Sequence, residues 1–172
     1  RVIVAATERG ICAVEFGDDD RKLLDYIRER FPKAGFEKGG DGFISLLRRV
    51  VEYVEHPNHK FDLPLDIQGT VFQQKVWKVL MAIKPGQTMS YSDVAEQIGN
   101  PKSVRAVAAA CAANKIGVVI PCHRVLAKDG TCGYGCGSRG GHRCTGVCFS
   151  CEDPCPTGKR IKSRRKSRIP QS

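Results

Sequence analysis

No apolar run in this sequence approaches the ~18 residues that a membrane-spanning helix needs. No signal-peptide core opens it either, so the expected setting is the cytoplasm, with no membrane partner. The chain starts at Arg1 rather than Met, which reads as a fragment whose own targeting signals would lie elsewhere. Tryptophan is nearly absent. Trp77 stands alone on an apolar helical face and fits a core position better than a stacking platform. Histidine is sparse. His56 and His59 are three apart with no thiol or further His beside them, so a surface turn fits better than a metal site. Acidic residues are outnumbered, with 18 Asp and Glu against 28 Lys and Arg. The net charge of +10 points to a polyanionic partner, either nucleic acid or an anionic surface.

Cysteine, by contrast, is abundant. Nine is an odd number, so at least one thiol is free. Cys12, Cys111 and Cys122 lie singly in apolar or helical stretches, as in a reducing compartment. The other six crowd into 132–155. With 172 residues, 41% of them hydrophobic, the chain is one compact unit or two small ones.

Local pattern sets the expected elements. Two β-rich runs, 2–6 and 11–16, flank Thr7-Glu8-Arg9-Gly10 and predict a hairpin. Asp18-Asp19-Asp20 supplies a cap and first-turn negative charge for a helix to about Phe31. Capping fits that position better than metal binding. Phe43, Leu46, Leu47, Val50, Val51 and Val54 recur at helical spacing and predict an amphipathic helix over 43–55. Phe61, Leu63, Leu65 and Ile67 alternate as a half-buried strand. Gly69-Thr70 opens a helix that turns Phe72, Val76, Trp77, Val79, Leu80 and Ile83 inward. Ser90 with Asp93 caps a short helix ended by Gly99. Asn100 and Pro101 start another, running to about Ala113, where Asn114 can take a left-handed conformation. This punctuation predicts a helix-turn-helix, although antiparallel helices of a plain bundle would carry it too.

The chemistry concentrates at Ile120-Pro121-Cys122-His123-Arg124-Val125. Pro121 removes a backbone donor at the end of the strand expected over the apolar run 118–120, so the chain can turn and present the next side chain. His123 and Arg124 are expected to raise the local positive potential and favour thiolate at Cys122. Taken alone, a Cys-His pair fits a buried Cys with a surface His just as readily.

This hexapeptide, Tyr91 and the segment 100–107 resemble the O6-alkylguanine-DNA alkyltransferases, also called methylated-DNA–protein-cysteine methyltransferases. The likeness runs from about Val2 to Gly130. It implies an α/β fold of two parts: a small ribonuclease-H-like lobe at 1–67, truncated at its start, and a winged-helix-like lobe at 68–130 with the helix-turn-helix and the alkyl acceptor. It also implies a monomer acting on double-stranded DNA that contains O6-alkylguanine and, more weakly, O4-alkylthymine. No cofactor and no metal are expected. Cys122 would take the alkyl group and be consumed, because a thioether is inert in water. His123 would activate it through a water. The resemblance has Tyr91 crowd the target phosphate and protonate the leaving guanine. Arg105 would fill the gap left by the flipped base. Ser92, Asn100 and Lys128 would contact phosphate or sugar, and Asn114 would tie the active-site loop to the recognition helix.

Beyond Gly130 the expected Ser-Gly-Tyr segment survives only as Thr131-Cys132-Gly133-Tyr134. The family places a helix there whose Glu orients the histidine. Here Glu152 is the only Glu past Gly130, at the wrong spacing. Segment 131–172 therefore reads as a divergent, disordered tail translated out of frame. The rival reading is a metal-binding appendix built on Cys132, Cys136, Cys144, Cys148, Cys151, Cys155 and His142. The basic end, 159–168, could add nonspecific phosphate affinity. Two other functions stay open: an alkyl-lesion binding protein that flips the base without transfer, and an inactive frameshifted product.

Overall fold

A computed structural model describes residues 1–56 and 61–128 of the chain. Expectations for His59 and for the tail lie outside those residues. Strand β1 (Val2–Thr7) and strand β2 (Gly10–Phe16) form the expected antiparallel hairpin, paired from Val2↔Phe16 to Thr7↔Gly10. The turn is tighter than four residues, because Thr7 and Gly10 pair directly. Gly10 has a φ of 141°, and a Cβ there would overlap the Pro64 carbonyl, so two requirements select glycine.

The second edge of β2 organises the molecule. At its start, the Ile11 amide donates to the Pro64 carbonyl and the Asp66 amide to the Ile11 carbonyl, both at 2.9 Å. At its end, the Val14 amide donates to the Lys115 carbonyl and the Gly117 amide to the Val14 carbonyl, again at 2.9 Å. The strand expected over 61–67 is thus corrected to a single bridge, Ile11↔Leu65. Pro64 has no N–H to continue a ladder. Asp66, 7% exposed, secures this corner by accepting from Thr7 Oγ1 at 2.8 Å, Gln68 Nε2 at 3.0 Å and Arg9 at 3.2 Å. Burial pushes its carboxyl up, but these donors outweigh burial and hold it below the usual range.

Helix α1 (Asp20–Arg30) is capped as expected: Asp19 accepts from the amides of Arg21 and Lys22 at 2.8 and 3.2 Å. Helix α2 (Asp41–Glu55) buries Val50 and Val54. Helix α3 (Val71–Met81) begins in a capping box between Thr70 and Gln73 and buries Val76, Trp77 and Leu80. Helix α4 (Tyr91–Gln97) begins in a second box, Ser90 with Asp93, and Gly99 ends it at a φ of 78°. A 3-10 turn at Pro101–Ser103 leads into helix α5 (Val104–Ala112). Trp77 Nε1 donates to the Ala110 carbonyl at 2.8 Å, so the sole tryptophan is both core and strut between α3 and α5. Short parallel strands β3 (Met89–Ser90) and β4 (Val125–Leu126) close the far side.

One apolar cluster joins the hairpin, α2, α3, α4, α5 and the segment after α5, with Ile11, Val14, Val50, Leu80, Val94, Val107 and Ile120 almost fully enclosed. Each such side chain is worth roughly 1.5–3 kcal/mol of burial. The cluster runs without a break across position 67. No helix among the described residues is long and apolar enough to cross a membrane.

Candidate active site

The segment from Asn114 to Arg124 is held from three sides. Asn114, 9% exposed, directs its whole amide inward. Its Nδ2 donates to the Ile120 carbonyl at 2.8 Å and to Cys122 Sγ at 3.5 Å, while its Oδ1 accepts from the Ile116 amide at 2.9 Å. One side chain thereby fixes both ends of the loop and touches the sulfur. The β2 edge holds residues 115–117 through Val14. Arg124, 5% exposed, donates from its guanidinium to the Ile83 carbonyl at 2.6 Å and fastens the exit of the loop to the end of α3.

Two expectations about this segment are corrected. Asn114 is not left-handed; among the described residues the only non-glycine with positive φ is Val118, at 65°. The run 118–120 does not form a strand. Its hydrogen-bonding groups are engaged by Asn114 and by short turns, and only Ile116 bridges to β2. A β-branched residue with positive φ carries backbone strain of about 1–3 kcal/mol. Pro121 does turn the chain as expected: with φ −80° and ψ 66°, it lets the Cys122 amide donate to the Ile120 carbonyl at 2.8 Å. Cys122, His123 and Arg124 then form a single 3-10 turn.

The electrostatics also differ from expectation. Burial pushes the Cys122 thiol up. The Asn114 hydrogen bond and nearby backbone N–H groups offset this only partly, and the Glu15 carboxylate adds to the rise. Burial, with the neighbouring Arg124 charge, lowers His123 to about 4, so its ring is neutral at pH 7. The pair therefore rests as thiol and neutral imidazole, not as thiolate beside a cation. Arg124 sends its charged end toward α3, and its field acts on His123. Cys111, close enough to feel the Cys122 charge, is buried and pushed up to about 12.

The remaining candidates lie on or beside α4 and α5. Tyr91 is buried in the first turn of α4, within the apolar cluster. Ser92 follows it, half-buried. Asn100 is exposed, and its side chain does not cap; instead its carbonyl accepts from Ser103 Oγ at 2.6 Å and from the Ser103 amide at 3.0 Å. Arg105 is exposed on α5, on the same side as Ala106, Ala109 and Ala112. Lys128 is exposed near the start of α4, where its charge helps lower Asp93, after the hydrogen bonds from Ser90. Among the described residues no group of three or more His, Cys, Asp or Glu gathers as a metal site would need.

Sequence reasoning missed the grip of β2 on this loop, and Gly117 carried a signal for it. An isolated glycine in an apolar run marks close backbone approach, and a Cβ there would stand 3.0 Å from the Val14 carbonyl oxygen.

Known proteins share the sequence pattern and the fold of this chain. A family model described as "6-O-methylguanine DNA methyltransferase, DNA binding domain" matches residues 71–144, so the likeness extends past the expected limit at Gly130. The chain is 48% identical over 131 residues to the bifunctional transcriptional activator/DNA repair enzyme Ada of Escherichia coli, covering 76% of this chain. It spans only 37% of that protein and 40% of the Ada regulatory protein of Salmonella typhimurium. It is 37% identical to the inducible methylated-DNA–protein-cysteine methyltransferase of Bacillus subtilis, covering 74% of this chain and 72% of the relative. Among solved structures, OGT of Mycobacterium tuberculosis in complex with DNA superposes with a TM-score of 0.61 at 29% identity, covering 77% of this chain and 75% of that one.

Proposed function

Because the chain belongs to the methylated-DNA–protein-cysteine methyltransferase family, we propose that it repairs DNA by moving an alkyl group from O6-alkylguanine to its own Cys122. The sulfur attacks the alkyl carbon, the carbon–oxygen bond breaks, and a thioether forms as guanine leaves. The thiol proton is balanced by the proton that guanine gains. The observation that carries this reading is the side-chain contact of Asn114 with Cys122 Sγ at 3.5 Å, inside a loop held from three sides. It is a site built to hold one sulfur in place.

The other roles follow from position. His123, neutral and adjacent, takes the thiol proton through a water as the sulfur attacks. Tyr91 opens the helix that precedes the recognition helix, next to the β3–β4 pair, and serves the leaving guanine and the target phosphate. Arg105 enters the duplex from the small-residue face of α5 and replaces the extruded base. Ser92, Asn100 and Lys128 contact phosphate or sugar. In this reading residues 1–67 form the ribonuclease-H-like lobe and 68–130 the winged-helix-like lobe with the helix-turn-helix. The protein acts in the cytoplasm, as a monomer on double-stranded DNA.

The test is to incubate the chain with a duplex holding one O6-methylguanine, digest the DNA and measure the modified base. Conversion to guanine, limited to about one per chain, is expected. A protein that binds the lesion and leaves it unchanged would be a lesion binder instead.

A further inference from the structure

Val118 breaks a backbone rule inside the best-held loop of the molecule. Its φ of 65° is poorly suited to a β-branched residue, yet its side chain is buried, at 9% exposure. The Val119 amide donates to the Gly117 carbonyl at 2.8 Å, closing a three-residue turn across Val118. A second three-residue turn, across Pro121, brings the Cys122 amide to the Ile120 carbonyl at 2.8 Å. The nucleophile thus hangs from two turns in succession. The first is anchored on β2, where the Gly117 amide donates to the Val14 carbonyl at 2.9 Å. Ile120, which opens the second turn, is anchored twice: its amide donates to the Ile116 carbonyl at 3.0 Å, and its carbonyl accepts from Asn114 at 2.8 Å. With both flanks fixed and its side chain buried, Val118 has no room to relax. Strain of this kind persists only where surroundings over-determine it, and it concentrates at functional sites.

We propose that Val118 is a positioning residue for the nucleophile: its left-handed turn sets where Ile120 meets Asn114, and hence where Cys122 Sγ is presented. The effect on alkyl transfer rests on the proposed function above; the effect on the loop does not.

Two substitutions separate positioning from plain packing. Val118→Gly loses the buried side chain but reaches the same backbone region freely. Val118→Pro stays apolar, but its ring fixes φ at about −65° and forbids the turn. Three quantities are compared below the melting temperature of each variant: hydrogen exchange at the Val119 and Cys122 amides, single-turnover transfer from methylated duplex, and modification of Cys122 by iodoacetamide. Val118→Gly should keep both amides protected and transfer within about threefold of the parent. Val118→Pro should lose protection at both amides by about tenfold and transfer at least about tenfold more slowly. Iodoacetamide, which needs no alignment with DNA, should change by less than about threefold in either variant. If Val118→Pro does not fold, Val118→Gly alone decides. Loss of protection and transfer in Val118→Gly by about tenfold or more, or parent-like protection and transfer in Val118→Pro, would overturn the proposal and make Val118 a packing residue. If the parent transfers nothing, the proposed function fails, and the order of amide protection alone decides the role of Val118.

Discussion

Helix α5 and the loop that follows it are neighbours in sequence and opposite in construction. The outer side of α5 presents Lys102 just before it, then Arg105, Ala106, Ala109 and Ala112, all exposed. Arg105 makes no hydrogen bond or ion pair with another described residue. In the loop, Asn114 and Arg124 are buried and bonded to backbone carbonyls, and the chain is pinned by β2, α3 and α5 together. Under the proposed function the contrast separates two tasks. A small, unbonded surface with free cations can accept a nucleic-acid backbone without reorganising. A nucleophile aimed at one carbon atom needs a scaffold that does not move.

If that contrast is right, damage to the loop should cost stability, and damage to the helix face should not. The largest effect is expected from Asn114→Ala. It strands the Ile116 amide in a buried site, takes one of two donors from the Ile120 carbonyl and frees Cys122, a loss of roughly 2–4 kcal/mol. Thermal melting and iodoacetamide modification of Cys122 would both register it.

A change of pH probes the same loop next. Folded His123 titrates near 4, below its ordinary value of 6.5. On acidification the unfolded chain takes this proton first. The His123 contribution to stability is therefore complete above pH 6.5 and is lost as pH falls toward 4. It amounts to roughly 3 kcal/mol at most. Melting of His123→Gln, followed between pH 7 and 4, should decline less steeply than melting of the parent.

The smallest structural effect should come from the helix face. Arg105→Ala should leave stability within about 0.5 kcal/mol, yet slow single-turnover repair of duplex DNA at least tenfold, about 1.4 kcal/mol. Reaction with free O6-benzylguanine should fall much less. Equal losses on both substrates would place the defect in folding and erase the contrast between the two regions.

The same two regions show what sequence can reveal. Helix starts and stops were legible because they are decided within a few residues: Asp19, Thr70, the Ser90 box and Gly99 all act where expected. Cys122 and Asn114 could be singled out, and Pro121 could be read as a turn. The loop around them could not be read. Val118, Val119 and Ile120 have strand-forming side chains, but the Val119 and Ile120 amides turn back to Gly117 and Ile116 and the Ile120 carbonyl is taken by Asn114; Val14, far away in sequence, holds the neighbouring Lys115 and Gly117, and such contacts override the local preference. The same reason hid the state of the sulfur. Arg124 adjacent to His123 looks like a source of positive potential at Cys122. Burial outweighs it, and the guanidinium turns to Ile83 instead. Pro64 shows the reverse, a local veto that outranked an alternating pattern over 61–67.

The most direct measurement is the location of the transferred methyl group. After reaction with O6-methylguanine duplex, trypsin releases the peptide 116–124, which holds Cys122, separately from the peptide 106–115, which holds Cys111. Mass spectrometry should find one methyl group on 116–124 and none on 106–115. Methyl on Cys111, on Cys12 or on the cysteines of 132–155, with 116–124 unmodified, would contradict the account.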